Sequence, residues 1–203
     1  MKYSLFTVSV PDLTPEETLM KMKEYGYDGI DWRVAPLPTD PDVQKEKPTY
    51  WRNNRCTIDL DTVEAVAGDV GALTRKYGLE TNALETYLSC NDSVEMIEAC
   101  MRAAELMECK RVRITAPGYD GSRTWQELFR EASEKFSIIE KLAADHGVKA
   151  VFEMHMGNIV SSASAAFRLA SQFDPRYIGV IYDTGNVIYE GYDWILRIGL
   201  RKM

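Results

Sequence analysis

Along the chain, segments with apolar residues three and four apart run repeatedly into a Gly-marked or polar turn and then into a short apolar run. Five such junctions are legible: EYGYDGIDW, KYGLETNAL, LMECKRVRI, DHGVKAVFEM and DPRYIGVIYD. With the opening run Tyr3 to Val8 they predict six strands, near residues 3–8, 28–33, 79–86, 110–115, 148–155 and 177–183. Each run is rich in Val, Ile, Leu, Tyr or Phe and is followed by a helical pattern, as strands of a parallel sheet are.

The helices carry start and stop signals where a βα unit needs them. Thr14-Pro15-Glu16-Glu17 and Thr124-Trp125-Gln126-Glu127 read as capping boxes, the first with Pro at the first helical position. Asp61 with Glu64 and Asp92 with Glu95 offer acidic versions, and Ser161 or Ser162 is placed to cap a fifth helix. Gly26, Gly78 and Gly147 fall just past helix ends, where a left-handed residue is cheapest as glycine. The expected fold class is α/β with a parallel sheet.

Residues 35–60 interrupt this rhythm with four of the chain's eight prolines and no helical period. Following the second strand, they would lie on the active-site face of a βα barrel, either as a substrate-side lid or as a plain surface excursion. Trp51, Arg52 and Arg55 are the residues in it able to touch a ligand.

Composition narrows the partners. The chain has 203 residues, is 45% hydrophobic and carries a net charge of −7, which argues against a nucleic-acid binder. No run reaches the ~18 apolar residues of a membrane span, and Pro and acids come too early for a signal peptide, so a cytoplasmic protein is expected. Cys56, Cys90, Cys100 and Cys109 have no CxxC spacing and read as reduced, mostly buried thiols. Glycine-rich phosphate loops and the G-x-S-x-G elbow are absent, and with only His146 and His155 a hydrolytic triad has little to work with. His146, at a helix end, reads as favourable C-terminal charge.

The chemistry is then sought at the C-terminal ends of the strands. Alternation in the fifth predicted strand puts Val151, Glu153 and His155 on one face, and in the sixth Gly179, Ile181 and Asp183 on one face. On neighbouring strands ~4.8 Å apart, Glu153 and Asp183 come within reach of one divalent cation. The alternatives are that Asp183 caps the turn before Thr184-Gly185-Asn186, and that His155 is a hydrogen-bonded pocket residue rather than a ligand. Trp32 and Arg33, Glu85 and Tyr87, and Arg113 are further strand-end candidates. Arg113 either holds a phosphate or sugar hydroxyl or pairs with a carboxylate at the mouth.

GYDGIDW at strand two, VFEMHMGN at strand five and GVIYDTGN at strand six together resemble the xylose isomerase-like TIM barrels of sugar phosphate isomerases and epimerases. The resemblance runs in order over essentially the whole sequence. It implies one barrel domain over residues 1–203, of (β/α) TIM-barrel type with about six of eight βα units present. It also implies a divalent metal, Mn²⁺, Mg²⁺, Co²⁺ or Zn²⁺, at the C-terminal mouth. Glu153 would be metal ligand and catalytic base and Asp183 a second metal ligand, with His155, Arg113, Trp32, Asn186 and Glu85 contacting a sugar or sugar phosphate. The family's remaining His and Glu ligands belong to strands seven and eight, beyond Leu200 to Met203. The expectation is therefore a truncated protein with weakly held metal, impaired turnover and open edges that invite a homo-oligomer.

Within the same family a dehydratase of inositol-derived ketones would use a similar site, whereas the zinc endonucleases are disfavoured by two His and the acidic charge. A noncatalytic sugar-binding or interaction protein is the alternative from another class. A doubly wound sheet with helices on both faces would contradict the barrel altogether.

Overall fold

A computed structural model describes residues 1–189 of the protein. In sequence order the elements are β1 (Ser4–Phe6), α1 (Pro15–Glu24), β2 (Gly29–Ala35), α2 (Pro41–Gln44), β3 (Thr57–Asp59), α3 (Val63–Lys76) and β4 (Glu80–Thr86). They continue with α4 (Val94–Leu106), β5 (Arg111–Arg113), α5 (Trp125–Asp145), β6 (Lys149–Glu153), α6 (Ala163–Ala170), β7 (Ile178–Ile181) and α7 (Thr184–Tyr189).

The strands form one sheet in the order β1-β2-β4-β5-β6-β7, and every pairing is parallel. Apart from β3, spatial order follows sequence order without a reversal. Right-handed crossovers in one direction place successive helices on the same side, so the sheet is singly wound. Side-chain alternation agrees. Ile30, Trp32 and Val34 of β2, Leu84 of β4, Val112 of β5 and Ala150 and Phe152 of β6 are fully buried with Leu19, Met22, Met101, Phe136 and Ile139 from the helices. The intervening positions turn Asp31, Arg33, Glu85, Arg113 and Glu153 to the other face.

All six anticipated strands are present, and the two threonine capping boxes form as read, each with reciprocal side-chain and backbone bonds. Ser162 caps α6. The acidic versions do not form: Thr62 precedes α3 without a side-chain cap, and Ser93 rather than Asp92 accepts from the first turn of α4. Asp92 instead accepts from the Ser89 amide at 2.7 Å. Gly26, Gly78 and Gly147 take φ of 76°, 74° and 62°, and Glu108 takes the same left-handed place after α4 with φ 58°. The four cysteines are buried and free.

The proline-rich excursion is ordered by its own bonds. Asp40 caps the single-turn α2, and β3 returns the backbone to β2 with Thr57 beside Arg33 and Asp59 beside Ala35. Because β4 occupies one edge of β2 through Val34, β3 lies on the same edge as β1, beyond it. Three strand residues inside a polar, Pro-rich stretch offer no alternation to read, so this strand is absent from the sequence-based expectation.

Candidate active site

At the C-terminal ends of the strands lies a cavity of about 740 Å³ lined by residues from β1, β2, β4, β5, β6 and β7 and the loops that follow them. Glu153 ends β6 and faces this cavity with Asp183, His155 and Asn186, as alternation and the two sequence motifs anticipated. Asp31, Glu85, Tyr87 and Arg113 line it too, with Phe6 and Trp51.

The Glu153 carboxyl is held from three sides. Arg113 Nη1 donates to Oε2 at 2.9 Å, Asn186 Nδ2 donates to Oε1 at 3.3 Å, and Asp183 shares a hydrogen bond with it. Burial pushes the Glu153 carboxyl above its ordinary range; the Arg113 charge opposes this, and the Asp183 carboxylate beside it reinforces it. Asp183 moves the other way. Burial works to raise it, but the amides of Asn186 and Gly185 and the hydrogen bond from Glu153 outweigh that and hold it below its ordinary range. The two neighbouring carboxyls are thus pushed in opposite directions.

The Asp-Thr-Gly-Asn segment explains this geometry. Asp183 Oδ1 accepts the Asn186 amide at 2.8 Å, so it does cap the first turn of α7, while the Asn186 side chain reaches back to Glu153 and to the Met154 carbonyl at 3.2 Å. A Cβ at Gly185 would stand 3.1 Å from Asp183 Oδ1, so a side chain there would crowd the carboxylate. The cap and the functional reading are served by one side chain.

Arg113 is the hub of the other half. Its Nε lies 3.1 Å from Glu85 and 2.9 Å from the Thr86 carbonyl, and its guanidinium sits over the rings of Tyr87 and Phe6 at 4.8 and 5.5 Å. With Nη1 on Glu153 as well, it pairs with two carboxylates at the mouth. The carboxyl of Glu85 is pushed up to about 7 by burial, against the pull of Arg113 and aided by the negative charges of Asp31 and Glu153. His155 Nδ1 lies 2.6 Å from the Met156 carbonyl oxygen, which only accepts, so Nδ1 is the donor in this contact.

Trp32, anticipated as a substrate contact, is not in the cavity: it is fully buried on the helix-covered face of β2. The same alternation brings Asp31 inward in its place, a residue absent from the sequence-based candidates. Asp31 accepts hydrogen bonds from Ser4 and from Asn82 Nδ2, the latter at 2.5 Å. Its signal in the sequence is a carboxylate between Ile30 and Trp32 in an apolar strand, which is costly unless it is satisfied. Arg33 is buried behind Tyr87, with its guanidinium 5.3 Å from the ring and Nη1 on Thr57. In the excursion, Trp51 alone of the three named residues lines the cavity; Arg52 pairs with Glu46 and Arg55 bonds the Asp12 carbonyl.

The family model for xylose isomerase-like TIM barrels matches residues 19–203. The chain belongs to this family. An inosose dehydratase of Geobacillus kaustophilus is 33% identical over 69 residues, which is 34% of this chain and 21% of that protein. The match thus spans only about a fifth of that relative's length. Among solved structures, the IolI protein with a bound zinc atom superposes with a TM-score of 0.66 at 15% identity, covering 92% of this chain and 64% of that one. The 3-keto-D-glucoside 4-epimerase YcjR of E. coli gives 0.68 at 16% identity, over 92% and 70%. These likenesses establish the fold as an α/β barrel of the xylose isomerase-like kind, six of whose main strands are described in this protein.

The donor chemistry at the mouth suits a divalent cation in part. Asp31, Glu85, Glu153 and Asp183 face the cavity against one guanidinium, and two of them sit close enough to share a proton. Yet no cluster of three His, Cys, Asp or Glu able to enclose a metal occurs among the described residues. Glu153 and Asp183 could hold part of a coordination sphere and not a whole one. No helix among the described residues is long and apolar enough to cross a membrane.

Proposed function

We propose that this site moves a proton on the carbon next to a carbonyl of a polyhydroxylated substrate, with Glu153 as the acid-base group, as in sugar isomerisation and epimerisation. The observation that carries the reading is the Glu153 carboxyl itself, facing the open cavity beside Asp183, aimed by Arg113 and Asn186 and pushed above its ordinary range by burial. A carboxyl raised above its ordinary range is a better match to both removing and returning a carbon-bound proton than an ordinary one. Glu153 and Asp183 would be this chain's contribution to a divalent-metal site. A metal held there would supply polarisation of the carbonyl and its neighbouring hydroxyl. His155 Nε2, Asn158 and Asn186 would orient hydroxyls.

Charge favours a neutral polyol over a phosphorylated one. Arg113 is the only Lys or Arg lining the cavity among the described residues, and its Nε and Nη1 are engaged by Glu85, Thr86 and Glu153. Dehydration of a cyclic polyol ketone is the second reading, supported by the similarity to an inosose dehydratase. It shares the same first proton removal and then expels the β-hydroxyl.

Exchange in D₂O tests both. With an inosose or a ketohexose and added Mn²⁺, NMR should show deuterium entering next to the carbonyl, and Glu153→Gln should lower that rate by about a hundredfold or more. Accumulation of a conjugated, ultraviolet-absorbing ketone marks dehydration, and its absence marks isomerisation or epimerisation. Binding without exchange, unaltered in Glu153→Gln, would make the protein a sugar-binding module and overturn the proposal.

A further inference from the structure

The cavity has two unlike halves. From β6 and β7 come Glu153, His155, Asn158, Asp183 and Asn186; from the β1, β2 and β4 side come Phe6, Trp51 and Tyr87. Trp51 is 69% exposed, whereas Trp32 is 0% exposed in the core, and yet Trp51 stands in a concavity rather than on an outer surface. Its ring meets Tyr87 edge-on with centroids 5.9 Å apart. Tyr87 in turn is stacked against the guanidiniums of Arg33 and Arg113, which fix it without filling the cavity.

The segment that presents Trp51 is locally rigid. Thr49 and Arg52 close a turn around it through Thr49 N to Arg52 O at 2.9 Å and Arg52 N to Thr49 Oγ1 at 3.1 Å. Arg52 is pinned by Glu46 at 2.7 Å, and Asn53, with φ 53°, ties its amide to the carbonyls of Gln44 and Glu46. Asn54 then fastens the turn to the Val8 carbonyl at 3.2 Å. So many bonds holding an indole in an open cavity mean that little order remains to be lost when a ligand covers it.

We propose that Trp51, backed by Tyr87, is a stacking platform for the C–H face of a polyol ring, and that this wall makes the site select a ring over a linear polyol. A cyclic polyol carries hydroxyls around its rim and C–H bonds on its faces. The rim suits the carboxylate, amide and imidazole half of the cavity, and a face covers exposed indole that would otherwise stay in water. A linear polyol can satisfy the polar half but offers no continuous face to the wall. The inference rests on the reading of the cavity as a site for a polyhydroxylated substrate, and it adds to that reading the residue that decides its shape.

The test uses two unreactive polyols with the same number of hydroxyl groups, cyclic myo-inositol and linear D-sorbitol, titrated calorimetrically into the full-length protein. The expected result is a preference for myo-inositol of about tenfold, abolished in Trp51→Ala and kept in Trp51→Phe, with D-sorbitol affinity unchanged in all three. Circular dichroism confirms the variants' folding, which an exposed position should leave intact. A ring preference that survives Trp51→Ala, an equal loss for both polyols, or no binding of either overturns the wall. Failure of deuterium exchange with the ring preference intact strikes the proton-transfer reading and leaves the wall standing.

Discussion

Arg113 sits where two buried carboxyls would otherwise face each other, and its side chain is only 7% exposed. Removing one partner of a buried ion pair leaves the other uncompensated, at a cost of roughly 3–5 kcal/mol. Arg113→Met should therefore lower the urea-unfolding free energy by about 3 kcal/mol at pH 8. The loss should shrink at pH 5, where Glu85 and Glu153 can take up protons. Glu85 adds its own pH dependence. Its carboxyl titrates near 7 in the folded protein against an ordinary value of 4.5, so between those values the folded state binds the extra proton. Its contribution to stability is thus greatest in acid, falls as pH rises from 4.5 to 7 and is flat above. Glu85→Gln should flatten the decline in unfolding free energy between pH 5 and pH 8; an unchanged slope would contradict the assignment. At this scale the sequence is informative where alternation has an anchor. Glu153 and Asp183 follow from runs whose apolar partners are unambiguous, whereas in β2 the apolar run does not show which of Asp31, Trp32 and Arg33 turn inward. Tryptophan is the natural candidate there on chemistry alone, and the strand's pleat places it outside the cavity.

Elements are legible wherever a rule involves only near neighbours. The capping boxes at Thr14 and Thr124 form because donor and acceptor lie three residues apart, and the strands because apolar runs are local. What local reading cannot supply is what an element meets. Gly68 and Gly71 both lie in α3, yet a Cβ at Gly68 would meet nothing within 4 Å, whereas one at Gly71 would stand 3.0 Å from Met107 Cα where α3 and the end of α4 approach. Gly68→Ala should stabilise the protein by up to ~1 kcal/mol from helix propensity, and Gly71→Ala should destabilise it. Thermal unfolding of the two variants side by side reads the difference. Glu108 gives a third case: it occupies with φ 58° the left-handed place that glycine holds after α1, α3 and α5. Its salt bridge to Arg75 is largely exposed and worth little. Glu108→Gly should raise stability by about 0.5–1 kcal/mol.

For the molecule as a whole, parallel order with one direction of winding separates a dry face, covered by helices, from a charged face that ends in the cavity. The four cysteines all belong to the dry part, and burial pushes their thiols up to about 11 for Cys56 and Cys109 and about 12 for Cys90 and Cys100. A thiol reagent at pH 8 should find none of them in the native protein and all of them in guanidinium; a native thiol that reacts at once would show that part of this packing opens. The fold class is readable because six repeats of one βα rhythm need no knowledge of distant contacts. The charge pairing around Arg113 is not readable, since it joins β4, β5 and β6 across residues far apart in the sequence. The excursion after β2 has a further consequence. It leaves the sheet at Ala35 and comes back at Thr57, which lies beside Arg33 of the same strand, so both its feet stand on one rail. A segment closed in this way can be lengthened or exchanged at small entropic cost, about 0.6 kcal/mol per doubling of length. None of the strand ends that hold Glu153 and Asp183 would shift in such an exchange. What the cavity accepts can therefore diverge by cassette replacement, while the Glu153 and Asp183 pair on the β6 and β7 side keeps its place.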